Sequence, residues 1–340
     1  LFSTTIYAIT LDELITTSIN NNPSLKSINE RILANKQNIK LSEQFANPNI
    51  SLSKNTLDSN QAMSRTTLSV KQKIPYFSKR DKLKDVGIAQ ENILYENLTR
   101  AKVALVGAIK KQAYILWELK EIYSIVDQYE HLTKLNLELY ESYTSTSDNH
   151  HMGIMSAKLS LSNLEIQKSS LEAKIKTAYA KLSYLASVKV DNLEIKLGID
   201  KLPKLEELQK NLANNTDIAI KEKEVLKQKA NIEVAKSNKY PDFTVTGGYS
   251  QRQNFDNYWT IGIGVNLPIY GSEELKQEKF RRLALSVDKQ KQDTVAAVSS
   301  ALKSTYAQMQ SDHKTYHIIK DDILPQIEHM FDLATSSISK

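Results

Sequence analysis

Apolar positions along the chain follow two rhythms. Between Thr66 and Ile74 they fall at period two: Leu68, Val70, Gln72 and Ile74 alternate with Thr67, Ser69, Lys71 and Lys73, and Ile50 to Thr56 is a shorter strand-like run. The rhythm returns at Phe243, Val245, Gly247 and Tyr249, then at Trp259, Ile261, Ile263, Val265 and Leu267, interleaved with Thr, Gly and Asn. These runs predict two hairpins, each with one apolar face. In the long stretch after Pro75 the period is helical. Leu94, Leu98, Ala101, Leu105, Ala108, Gln112, Ile115, Leu119, Ile122, Val126 and Tyr129 keep strict heptad spacing with one polar exception. Ala157, Leu161, Leu164, Lys168, Leu171, Ile175, Ala178, Leu182 and Leu185 repeat it after a break at Thr144 to Gly153. Two long helices packed antiparallel across a tip are predicted, with Gly153 reversing the chain. A helix of about 65 residues at 1.5 Å per residue is roughly 100 Å long, far more than a globular domain needs.

The pattern occurs twice. Asn22-Pro23-Ser24-Leu25 aligns with Asn215-Thr216-Asp217-Ile218, Asn47-Pro48-Asn49-Ile50 with Tyr240-Pro241-Asp242-Phe243, and Ile74-Pro75-Tyr76 with Leu267-Pro268-Ile269, each pair separated by 193 residues. A first repeat over 9–190 is expected to hold a helix from Leu11 to about Ala46, a hairpin over 48–75 and a helical hairpin with its tip near 145–156. A second over 202–340 holds a helix, a hairpin over 241–268 and a long helix with a kink or break at Pro325. Its return helix is expected to fall beyond residue 340, so the second repeat reads as truncated. Residues 1–8 read as the tail of a secretory signal ending at Ala8, or equally as a frayed terminus.

Composition agrees with long elements. Nine glycines and seven prolines in 340 residues leave few turns, which disfavours a compact α/β enzyme. The absence of cysteine from the sequence removes disulfides, thiolate metal sites and thiol catalysis. The net charge of +6 comes from 45 basic residues interspersed among 39 acidic ones, with no basic stripe, so nucleic acid is not an expected partner. No apolar run is long enough for a transmembrane helix, and a β-barrel stays open. The Trp259 to Leu267 run matches the roughly 9 to 11 residues that carry a tilted strand across a bilayer. Tyr76, Tyr249, Tyr258, Trp259 and Tyr270 lie at or near strand ends, where an aromatic girdle would sit. Because lipid forbids open sheet edges and four strands cannot close, a membrane reading requires several chains to pool their strands. The competing reading is a half-buried sheet of a soluble coiled-coil adaptor or scaffold.

Candidate chemistry is sparse. The motifs GxSxG, GxGxxG, HExxH and the Walker P-loop are all missing from the sequence, and neither enzymatic activity nor a cofactor is expected. His150, His151, Met152 and Met155 form one local cluster of imidazoles and thioethers, donors that Cu(I) accepts. The alternative is a helical tip presenting Met152, Ile154 and Met155 to a protein partner. His131, His313, His317 and His329 stand singly on helices.

With repeats, strand pairs and heptads in place, the sequence resembles the TolC family of outer-membrane efflux proteins. The resemblance rests on Leu11-Asp12-Glu13-Leu14 followed by Asn22-Pro23-Ser24-Leu25, on the stretch from Tyr240-Pro241-Asp242-Phe243 to Gly247-Gly248-Tyr249-Ser250, and on Val265-Asn266-Leu267-Pro268-Ile269-Tyr270-Gly271. Tyr76-Phe77-Ser78-Lys79 departs from the family habit of a glycine after the first such proline. The resemblance implies a mainly α protein with membrane β: a homotrimer whose pooled strands make a twelve-stranded barrel in the Gram-negative outer membrane, in contact with its lipid and continued by a helical barrel in the periplasm. It also implies a passive duct joined through a periplasmic adaptor (membrane fusion protein) to an inner-membrane RND or ABC pump, or else a type I secretion pore. In this reading Met152, Gly153, Ile154, Met155 and Ser156 form the adaptor-docking tip, and Trp259, Ile261, Ile263, Val265 and Leu267 face lipid.

Overall fold

The computed structural model describes residues 9–56, 61, 63–142, 148–195 and 201–338; the expected signal remnant at 1–8 lies outside them. In chain order the elements are β1 (Ile9–Thr10), α1 (Leu11–Asn21), α2 (Pro23–Ser42), β2 (Asn49–Lys54), β3 (Arg65–Ile74), α3 (Phe77–Ser142) and α4 (Asp148–Ala186). There follow β4 (Leu193–Glu194), α5 (Leu205–Lys210), a 3-10 turn at Asn211–Asn214, α6 (Thr216–Ser237), β5 (Asp242–Arg252), β6 (Tyr258–Asn266) and α7 (Ser272–His317). A π-helical stretch, Ile318–Ile323, leads into α8 (Leu324–Ile338). The chain divides into two compact units, one of residues 1–30 and 98–199, the other of residues 31–97 and 200–340.

Helix starts follow local chemistry. Thr10 and Glu13 form a reciprocal capping box on α1, Thr10 N–H donating to Glu13 Oε2 at 3.0 Å and Glu13 N–H to Thr10 Oγ1 at 3.3 Å. The first helix was expected to run unbroken to about Ala46. It stops at Asn21, because Pro23 pushes Asn22 into extended geometry, and Asn22 Oδ1 then caps α2 by accepting from Ser24 N–H at 2.9 Å. Asn215 caps α6 identically, accepting from Asp217 N–H at 2.9 Å. The matched words at 22 and 215 are therefore N-cap signals.

In the first unit Leu14, Ile109, Leu116 and Leu182 are fully buried and pack with Ala113, Ala178, Ala186, Val190 and Leu193. The short parallel pair β1–β4 closes one side, Ile9 opposite Leu193. The helices α3 and α4 run antiparallel: Tyr123 O–H donates to Glu172 Oε1 at 3.1 Å, and Lys158 pairs with Glu141 at 3.2 Å. On α4 the predicted seam is the buried one, with Leu164, Leu171, Ala178 and Leu182 inside. On α3 it slips. Ile109, Ala113 and Leu116 are buried, whereas the expected Ile115, Ile122 and Tyr129 are exposed. A straight helix has 3.6 residues per turn, so a strict heptad drifts about 20° per repeat and the contact face moves one position along the chain.

Lys168 breaks the apolar seam for a local reason. Its Nζ donates to Glu130 Oε2 at 2.9 Å and also to Asp127, and Lys134 donates to the same Glu130, which is buried. The hydrogen bond from Lys134, then that from Lys168, holds the Glu130 carboxyl below its ordinary value. A depressed carboxylate stabilises the fold above its unfolded value of about 4.3 and loses that contribution as pH falls through the folded one. Glu130→Gln is therefore expected to lower the thermal midpoint at neutral pH, with the gap to wild type narrowing as the buffer is acidified below about pH 4. Midpoints measured across that range test this; a gap independent of pH would contradict it.

In the second unit β2, β3, β5 and β6 form one antiparallel sheet in that order, so the two hairpins join through β3 and β5. Helices α6 and α7 pack together, with Lys291 on Glu222 at 2.7 Å. Gly87 allows α2 and α3 to approach: a Cβ there would lie 2.7 Å from Ile39 Cγ1, and the Gly87 carbonyl accepts from Asn35 Nδ2 at 2.9 Å. The turn into α7 uses Gly271 at φ +70°, whereas Tyr76-Phe77-Ser78-Lys79 enters α3 without positive φ, Lys79 N–H donating to the Tyr76 carbonyl at 2.9 Å. Before Pro325 the helix widens to the π-helical stretch rather than stopping, since the proline ring has no N–H and clashes with the carbonyl four residues back.

Candidate functional site

The sheet has two chemically opposite faces, and its register shows how. Directly paired across the four strands are Leu52, Leu68, Tyr249 and Trp259, and then Ile50, Val70, Gly247 and Ile261. Further along come Gln72, Val245 and Ile263, and Ile74, Phe243 and Val265. These rows share one face, and that face is open: Trp259, Ile261 and Ile263 are 78%, 83% and 75% exposed, and Val265 and Leu267 are exposed too. The run from Trp259 to Leu267 spans about 26 Å at 3.3 Å per residue, close to a hydrocarbon core of about 30 Å. Gln72 is the one polar side chain in these rows, and its Nε2 is tied to the Ala46 carbonyl at 2.9 Å. Gly247 leaves a shallow apolar hollow of about 400 Å³ beside Leu68, Val70, Tyr249 and Trp259.

The opposite face is small and polar. Ser51, Ser69, Gly248 and Thr260 form one row, and Ser53, Thr67, Ser250 and Tyr258 the next. Ser51 and Ser69 hydroxyls lie 2.8 Å apart, and those of Thr67 and Ser250 2.9 Å. Tyr258, expected in the girdle, belongs to this face instead; its hydroxyl accepts from Arg65 Nη1 at 2.7 Å. The period-two parity that puts Trp259 on the apolar face puts its neighbour on the other. Tyr249 and Trp259 rings meet at 5.0 Å on the apolar face, and at the other end of the strands Tyr76 stacks on Tyr240 at 4.5 Å.

Asp242 joins the hairpins where strands meet helices. Its Oδ1 accepts from Lys79 Nζ at 2.6 Å and from Tyr76 N–H at 3.1 Å, and Lys73 lies 3.4 Å from Oδ2. The sequence reading missed this triangle, because its members lie far apart in the chain and only the β3–β5 register brings them together.

The expected tip residues take a different form. The helix α4 is continuous from Asp148, so Gly153 does not reverse the chain but sits within the helix. Its missing side chain makes room for Tyr140, whose Cε1 would be 3.3 Å from a Cβ. Met152 and Met155 are 75% and 64% exposed, His151 and Ser156 are exposed, and Ile154 is half-buried. Residues 143–147 and the side chain of His150 lie outside the described residues. Among the described residues no cluster of three or more His, Asp and Glu is placed to hold a metal ion, and no helix is long and apolar enough to cross a membrane.

The profile of the family described as "Outer membrane efflux protein" matches residues 208–340. The chain is 25% identical over 187 residues to the cobalt-zinc-cadmium resistance protein CzcC of Cupriavidus metallidurans, a match covering 53% of this chain and 44% of the relative. It therefore aligns with under half of that protein's length. Among solved structures it resembles VceC from Vibrio cholerae (TM-score 0.71, 16% identity, 97% of this chain and 85% of that one). It also resembles the open state of the Neisseria gonorrhoeae MtrE outer membrane channel (TM-score 0.72, 14% identity, 96% and 78%) and CusC (TM-score 0.67, 15% identity, 96% and 80%). The chain thus has the fold of these outer-membrane proteins, with the efflux-protein profile matching its second half.

Proposed function

We propose that this chain supplies one third of a trimeric duct in the Gram-negative outer membrane, through which solutes delivered by an inner-membrane pump and a periplasmic adaptor leave passively. The observation that carries the reading is the sheet: four strands with one continuous exposed apolar face, one polar face, and free edges at β2 and β6. Such edges are not tolerated in lipid, and strands from three copies would close them into a twelve-stranded barrel with the polar face inside. On α3, Ile122, Ile125, Tyr129, Leu132 and Leu139 make an exposed apolar stripe, the kind of surface further helices of a helical barrel would cover. Two structural repeats underlie the architecture, with paired starts at Pro23 and Thr216, Asn49 and Asp242, and Arg65 and Tyr258. Met152 and Met155 are the exposed anchors for the adaptor. The likeness to a cobalt-zinc-cadmium resistance protein makes metal ions a cargo class to test alongside small organic solutes. Cell fractionation with unheated electrophoresis tests the duct: the full-length protein is expected in the outer-membrane fraction as a heat-sensitive trimer. A soluble monomer would sink the reading and favour a periplasmic scaffold.

A further inference from the structure

In the sequence His313 and His317 are separate helical histidines, four residues apart near the end of α7. The structure brings their rings together, with centres 4.6 Å apart and planes inclined at 56°. Residues at this spacing share one helix face, and it is the spacing by which helical histidines chelate zinc. An ion held about 2.0–2.1 Å from one nitrogen of each ring would set the ring centres roughly 5 Å apart, so the pair needs little movement to close on it.

One turn further on, Asp321 continues the row. His317 Nδ1 lies 2.9 Å from Asp321 Oδ2. The carboxylate can only accept, so Nδ1 carries the proton, and in the neutral ring Nε2 keeps its lone pair free for a ligand bond. A carboxylate behind an imidazole in this way is the support that metal-ligating histidines commonly have. The Tyr316 ring meets His317 edge-on at 5.5 Å, a second contact on the same ring. The group sits where α7 passes into the π-helical stretch Ile318–Ile323, and π-helical turns recur at functional sites. The His317 and Asp321 side chains are 48% and 58% exposed, so an ion can reach them from solvent.

We propose that His313 and His317 chelate one divalent transition-metal ion of the class that imidazole suits, zinc or copper, with Asp321 as the positioning residue. Water completes the coordination, since among the described residues no group of three His, Asp or Glu is placed to hold an ion. Structural zinc sites are closed by four protein ligands; two leave the ion exchangeable and suit brief occupancy. That the ion is cargo in transit rests on the duct reading; the chelate itself does not.

Zinc chloride titrated calorimetrically into the full-length protein in detergent tests this. Wild type is expected to bind one equivalent more than either His313→Ala or His317→Ala, and Asp321→Asn to keep that equivalent with affinity lowered 10–100-fold. Zinc on other histidines cancels in the comparison, and alanine is well tolerated in a helix, so the variants should fold. Equal stoichiometry in wild type and both histidine variants, or a wild type that binds no zinc, overturns the inference and leaves the duct standing. Unchanged affinity in Asp321→Asn overturns the role given to that carboxylate. A soluble monomer that still shows the one-equivalent difference would sink the duct and leave the chelate.

Discussion

Ile261→Arg is expected to abolish recovery of heat-sensitive trimer from the outer-membrane fraction, whereas Thr260→Lys, one residue away, leaves that recovery close to wild type. Ile261 lies mid-strand on the open apolar face, in the row of Ile50, Val70 and Gly247. A cationic side chain at the bilayer midplane of a barrel costs about 2–4 kcal/mol, falling towards zero at the interfaces. In the proposed trimer three copies would multiply that cost, and the empty space over Gly247 gives the guanidinium no polar partner. Thr260 points to the polar face, where a charge stays in water. Equal recovery of both variants would mean that this face does not meet lipid.

Leu182→Ala should be strongly destabilising in the helical part. Leu182 is fully buried against the cluster containing Leu14, Ile109, Ala113 and Leu116. Truncation there removes transfer energy and leaves a cavity, together costing about 2–5 kcal/mol, while Leu182→Met keeps the volume and should cost less than about 1.5 kcal/mol. Thermal midpoints of the two variants in detergent are expected to separate clearly. Coincident midpoints would show that the cluster relaxes around the loss and does not carry the helical pair.

The strands were readable because a bilayer reading asks only for strict alternation over a sufficient length, and Trp259 to Leu267 meets both conditions without help from other elements. Helix caps were readable in part. The matched words at Asn22 and Asn215 were visible as repeats, but that Asn22 ends one helix and starts the next depends on Pro23 acting on the residue before it. The α3 register misled because a heptad template was laid on a helix that keeps a 3.6 period over many turns. Gly153 misled for a different reason: its smallness serves contact with Tyr140 inside a helix, and glycine spelling alone does not distinguish close packing from a turn. That Arg252 stands opposite Arg65 was not legible in the sequence, since it follows only from the β3–β5 pairing. The Asp242 triangle needed it too.

That same pairing constrains the order of assembly. The central ladder joins Thr67 to Ser250, 183 residues apart, and an isolated two-stranded hairpin is marginal at best in water. Closing so long a loop directly is slow, because the entropy is lost before any contact repays it. Pairing of α3 with α4 before the strands meet would shorten the effective loop, and the sheet would then be the last element to zip. Nascent chains would then keep their greasy strand faces apart until the helical part has set, delaying the joining of an aggregation-prone surface until lipid is at hand.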